Sequence, residues 1–138
     1  MRPIKIVFGF IFLFAGSYLY LKSRSETLLM FKWAKDFGVE FFVSAIRSSL
    51  SGLEVSQWKY IVFSVPYGMW VISFCCFIGA IWDKDRSLSA VIWRFLAPVI
   101  AISSEVLQFL GLLPGTYDIN DLYVLIVATI VGLVMSNL

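Results

Sequence analysis

The feature that most constrains this chain is a run of 23 residues, Tyr60 to Trp82, without one charged side chain between Lys59 and Asp83. A helix of about 20 apolar residues is what a bilayer core of about 30 Å requires. Three further runs resemble it. Ile6 to Leu21 lies between Lys5 and Lys22, and Leu122 to Leu138 follows Asp121. Leu88 to Leu110 is interrupted by Arg94 and Glu105. Hydrophobic residues make up 60% of the 138 positions and charged residues only 14%. One soluble core of this size cannot hide that much apolar surface. The expected fold is an all-α polytopic membrane protein forming one domain over residues 1–138. Its four spans are expected at about 4–21, 60–82, 88–110 and 121–137. The first run follows Arg2 and Lys5 like a signal peptide, but its apolar character continues to Leu21, and an uncleaved span is the favoured reading.

Residues 27–50 follow a different pattern. Met30, Trp33, Ala34 and Phe37, then Val39, Phe42, Val43, Ile46 and Leu50, recur at helical spacing among Lys32, Lys35, Asp36, Glu40 and Arg47. That is an amphipathic pattern. One or two interfacial helices, broken or bent at Gly38, fit it better than a re-entrant pair. Trp58 and Trp82 bracket the second span as interfacial anchors.

Several chemistries are excluded. The chain has no histidine, so imidazole metal sites and Ser-His or Cys-His catalysis are not available within it. Neither a metal site nor a cofactor is expected. A net charge of +2 without a basic tract argues against nucleic acid as a partner. Cys75 and Cys76 are adjacent in an apolar run and are read as small packing or lipid-facing residues.

Orientation rests on two loops. Residues 83–87 carry Lys84 and Arg86, whereas residues 111–120 carry no cation. The positive-inside rule then puts both termini in the cytoplasm, although the basic residues of the amphipathic segment pull the other way.

The polar residues inside the spans supply the candidate site. A carboxylate inside a span is costly, roughly 2.5–3.5 kcal/mol at the centre on insertion scales, so Glu105, about 7 Å along the helix from Leu110, is the first candidate. Gln108 is three residues on and shares its face. Arg94 lies about 16 Å away along the helix and is too far to pair with Glu105. Asp118 and Asp121 open the last span. They read either as helix-capping and first-turn residues or as carboxylates meeting Glu105 and Gln108 at the mouth of the hairpin. Tyr117, Tyr67 and Trp70 are candidate aromatic walls. Pro66 and Gly68 make the stretch around Tyr67 either a packing kink or a widened pocket.

Glu105-x-x-Gln108, then Pro114-Gly115, Asp118 and Asp121-Leu122 at the head of a final helix containing Gly132, resembles the VanZ-like family of small bacterial membrane proteins. The resemblance covers about residues 58–136. The chain departs from the family's pattern at Thr116, where arginine is frequent, and at Leu125 and Ala128, where asparagine and glycine are usual. The resemblance implies a bacterial inner-membrane protein tied to resistance against envelope-active compounds, in a family without a settled enzymatic activity.

Three functions follow as expectations. The first is a structural or assembly subunit of a larger membrane complex, with membrane lipids and other membrane subunits as partners and Glu105 neutralised by a base such as Arg47 or Lys59. The second is a protein binding an amphiphile or lipid headgroup through Glu105, Gln108, Asp118 and Asp121, an acidic set that suits cationic ligands. The third is an enzyme acting on a lipid-linked substrate, for which two carboxylates are present but no nucleophile is evident.

Overall fold

The computed structural model describes residues 2–23, 29–48 and 59–137. Trp58 and the outer parts of the amphipathic segment, 27–28 and 49–50, lie outside the described residues. Six helices follow one another: α1 (Arg2–Ser23), α2 (Leu29–Asp36), α3 (Glu40–Ser48), α4 (Lys59–Ile81), α5 (Leu88–Phe109) and α6 (Ile119–Asn137). Helices α1, α4, α5 and α6 are long and apolar enough to cross a membrane. The chain is therefore an all-α multi-pass membrane protein.

The boundaries follow local chemistry. The α5 helix begins after Ser87, whose Oγ accepts the Ala90 N–H at 3.3 Å as an N-cap. The α6 helix starts at Ile119, two residues earlier than the charge pattern predicts, because the Asp118 carboxylate accepts the Asn120 N–H at 2.8 Å. Between α2 and α3 the chain turns at Gly38, where φ is +71°, a conformation that glycine adopts without strain. Arg47 of α3 donates to the Leu21 carbonyl at 2.9 Å and lies over the Phe31 ring, which ties the amphipathic pair to the end of α1. Phe37 and Phe41 are 80% and 75% exposed, as an interfacial pair of helices requires.

The centre of the bundle is α4, which packs most extensively on α6 and α1. It runs antiparallel to α1: Gly9 meets Phe77, and Gly16 meets Met69 and Trp70. It runs parallel to α6: Gly68 meets Val124 and Ala128, Cys75 meets Gly132, and Gly79 meets Ser136. The contacting residues of α6 fall every fourth position, so one stripe of mostly small side chains faces α4. In a membrane, helices associate through such close packing and not through apolar desolvation. Ala128, a departure from the resembled family, lies in this stripe and is buried. Val71, Ile72, Cys75, Cys76, Leu125 and Ala128 form the core, and the two thiols are free. Helix α5 leans on α4 and α6 more lightly.

The tightest point is Gly79, where an added Cβ would stand 2.6 Å from the Ser136 Cα and 2.7 Å from its carbonyl oxygen. Backbone cannot yield as a side chain can. Gly79→Leu is expected to force α4 and α6 apart at a cost of about 1–3 kcal/mol or more. Thermal unfolding of the purified variant in detergent checks this, and an unchanged midpoint would remove the close approach from the account.

Both termini of the bundle lie at one end. There Lys5 Nζ donates to the Gly79 carbonyl at 3.2 Å, the Ser136 carbonyl at 2.9 Å and Asp83 Oδ1 at 2.8 Å. Arg94 donates to the Trp82 and Asp85 carbonyls, both at 2.9 Å, and so secures the α4–α5 turn. The α5–α6 hairpin and the α2–α3 pair occupy the opposite end.

Candidate functional site

A cavity of about 680 Å³ opens between α4, α5 and α6 near the hairpin end. Helix α4 contributes one wall, made of Tyr67, Trp70, Val71 and Phe74. Helix α5 contributes Ala97, Ile100, Ala101, Ser104, Glu105 and Gln108 in that axial order. From Ala97 to Gln108 the wall rises about 16 Å, and it changes from apolar to polar on the way. Asp121 and Leu125 of α6 repeat the gradient, with the carboxylate toward the hairpin and the leucine deeper. Gly115 and Thr116 of the loop close the polar end. Ile100 is 60% exposed, so the apolar half is open toward the outside of the bundle.

The aromatic wall is held in place from behind. The Trp70 indole N–H donates to Ser17 Oγ on α1 at 3.3 Å. Tyr20 of α1 packs on Trp70 and Tyr67, with centroids 5.2 and 6.4 Å apart, and Tyr67 meets Trp70 edge-on at 5.9 Å. Such edge and tilted contacts suit ring quadrupoles. The wall is thus built on two helices.

At the polar end, Glu105 is only 8% exposed. Its Oε2 is buried without a hydrogen-bond partner among the described residues, and so is Asp121 Oδ1. The Asp118 backbone N–H lies within reach of the Glu105 carboxyl, while Asp121 and, more weakly, Asp118 act on it as like charges. Such groups are costly in a low-dielectric interior when unpaired. Ser104 donates its proton to the Ala101 carbonyl at 2.7 Å. The Gln108 amide packs under Gly115, where an added Cβ would stand 2.8 Å from the amide carbon. With φ at +142°, Gly115 holds a backbone conformation that side chains rarely allow.

Five of the seven residues singled out in the sequence line this cavity: Tyr67, Trp70, Glu105, Gln108 and Asp121. The other two do not. Tyr117 packs edge-on against Phe109 at 5.1 Å. The Asp118 carboxylate accepts both the backbone N–H and the Nδ2 of Asn120, at 2.8 and 2.9 Å, and serves as the α6 cap. Asp118, just before α6, and Asp121, in its first turn, thus have separate roles. Arg47, named as a neutralising base for Glu105, is engaged with Leu21 and Phe31 instead. Sequence reasoning did not pick out Phe74, Ile100 or Leu125 as an apolar floor, because nothing local separates them from lipid-facing residues. Among the described residues, no group of three or more acidic or cysteine side chains has the geometry to hold a metal ion.

No family model, curated protein or solved structure matches this chain.

Proposed function

We propose that this protein binds the headgroup of an amphiphile or lipid within the membrane, through the cavity between α4, α5 and α6. The observation that carries the reading is Glu105: a buried carboxylate, with one oxygen unpartnered, at the polar end of a cavity whose other end is apolar and open. An intramembrane ionisable group is a functional candidate by default, and a polar-to-apolar gradient of about 16 Å matches a headgroup and the first part of a chain. The VanZ-like resemblance, drawn on Glu105, Gln108, Pro114-Gly115 and Asp121, agrees with a role in resistance to envelope-active compounds at a bacterial inner membrane. The Lys84 and Arg86 loop puts the termini in the cytoplasm on this reading, and the cavity near the outer leaflet.

The test is native mass spectrometry of the protein released from bacterial membranes. Wild type is expected to retain a lipid-sized adduct that Glu105→Gln, nearly identical in shape, loses while staying folded. Equal retention by both proteins would end the reading.

A second reading is an assembly subunit of a membrane complex. It is favoured by the exposed aromatics of α2 and α3, among them Trp33, Phe37, Phe41 and Phe42. On this reading, Phe37→Ser with Phe41→Ser lowers the mass of the native assembly and leaves adduct retention unchanged.

A further inference from the structure

We propose that the headgroup is a cation bearing N–H donors, a primary or secondary ammonium, and that Glu105 and Asp121 are its counter-ions. The proposal rests on the headgroup reading above and names its chemical class.

Charged acceptors dominate the polar end, where Gln108 and Thr116 supply only neutral side-chain donors. Glu105 Oε2 and Asp121 Oδ1 are two buried carboxylate oxygens without partners among the described residues. No lysine or arginine is among the described residues lining the cavity; the Lys59 side chain lies outside them. The Ser104 proton is already committed to the Ala101 carbonyl, so its hydroxyl offers lone pairs and no donor. A phosphate or other anion would bring like charge against two carboxylates. A neutral polyol would donate hydrogen bonds but leave the charge uncompensated at low dielectric. A quaternary ammonium would supply charge without a single N–H, and both orphaned oxygens would stay unpaired. An –NH₃⁺ group has three donors and a full charge. It meets both needs, with charge-assisted hydrogen bonds that exceed neutral ones in strength. Trp70 and Tyr67 complete the case, since ring faces attract cations. Beneath the headgroup, Phe74, Ile100 and Leu125 accept the chain.

The experiment compares three single-chain probes of equal length at pH 7: dodecylamine, dodecyltrimethylammonium and dodecyl phosphate. Each is titrated calorimetrically into phosphatidylcholine nanodiscs carrying wild type, Glu105→Gln or Asp121→Asn. The Glu105→Gln discs measure partition into the bilayer alone, and Asp121→Asn takes that place if Glu105→Gln does not fold. At this pH an alkylamine is protonated. Wild type is expected to bind dodecylamine about tenfold or more tightly than the trimethyl analogue, because the analogue leaves the acceptors unpaired. Both variants are expected to erase that ratio. Equal or tighter binding of the trimethyl or phosphate probe to wild type, lost in Glu105→Gln, would overturn the ammonium assignment while the headgroup reading stands. If no probe distinguishes wild type from either variant, both fall.

Discussion

Lys5→Met is expected to lower the unfolding temperature of the purified protein sharply, more than any substitution on a lipid-facing position. The reason lies in how α4 and α6 end. The two helices run parallel, so their C-termini arrive side by side. Each ends in carbonyls with no intrahelical partner and in the negative pole of its dipole. Lys5 is 4% exposed and places one ammonium between them, on the Gly79 and Ser136 carbonyls and on Asp83. Methionine keeps the apolar stem and removes every donor. Each stranded carbonyl costs about 1–3 kcal/mol, and the loss also releases the contact that clamps α4 to α6 beside Gly79. The same lysine governs acid sensitivity. Its hydrogen bond, ahead of the charge of Arg2, holds the Asp83 carboxyl below the usual carboxylate range. A depressed folded-state value means that the contribution is complete above the ordinary carboxylate value and is lost as pH falls through the depressed one. Unfolding midpoints of wild type should therefore decline as pH falls below the ordinary carboxylate value of about 4, and the decline should flatten in Lys5→Met. Identical midpoints for the two proteins at pH 7 would show that the lysine caps nothing.

Lys5 also shows where sequence reading stops. In the chain it is one of the cations before an apolar run, indistinguishable from a charge that marks a membrane edge. Its partners are 74, 78 and 131 positions away, and no local pattern announces that two helix ends will share one cation. The spans themselves were legible because charges bracket them: Lys59 and Asp83 fix α4 to within a residue or two. The break at Gly38 was legible because glycine separates two amphipathic sets, and the structure turns there at positive φ. Glu105 and Asp121 were legible as neighbours because a short hairpin joins their helices. Asp118 was not separable from Asp121 by sequence. The distinction came from Asn120, which takes the Asp118 carboxylate into a local cap. Arg47 was a plausible counter-charge on composition alone, yet its position is set by the end of α1, 26 residues earlier.

Glu105 carries the other large effect, and its sign is opposite for stability and for binding. Glu105→Met conserves the length of the side chain and replaces a buried carboxyl with a thioether. The carboxyl oxygen Oε2 has no hydrogen-bond partner among the described residues, and Asp121 stands nearby as a like charge. No salt bridge to Glu105 occurs among the described residues. Removing the carboxyl removes the desolvation cost of Oε2, about 1–3 kcal/mol, together with the repulsion from Asp121, and this outweighs the lost contact with the Asp118 N–H, about 0.5–1.5 kcal/mol. The variant is therefore expected to unfold at a higher temperature than wild type and to retain no headgroup. A structural carboxylate behaves in the reverse way, because replacing one member of a buried ion pair strands the other and costs about 3–5 kcal/mol. Glu105→Gln should fall between the two, since the amide keeps hydrogen-bonding capacity without the charge. Unfolding midpoints in nanodiscs, with and without dodecylamine, measure both quantities on the same samples. Dodecylamine is expected to raise the wild-type midpoint and leave that of Glu105→Met unchanged. A destabilised Glu105→Met protein would identify Glu105 as a structural member of the bundle and move the site elsewhere. A stabilised one that still responds to dodecylamine would keep the cavity and dismiss this carboxylate from it. Stability gained together with binding lost is the pattern expected of a group held at a functional site against the interest of the fold.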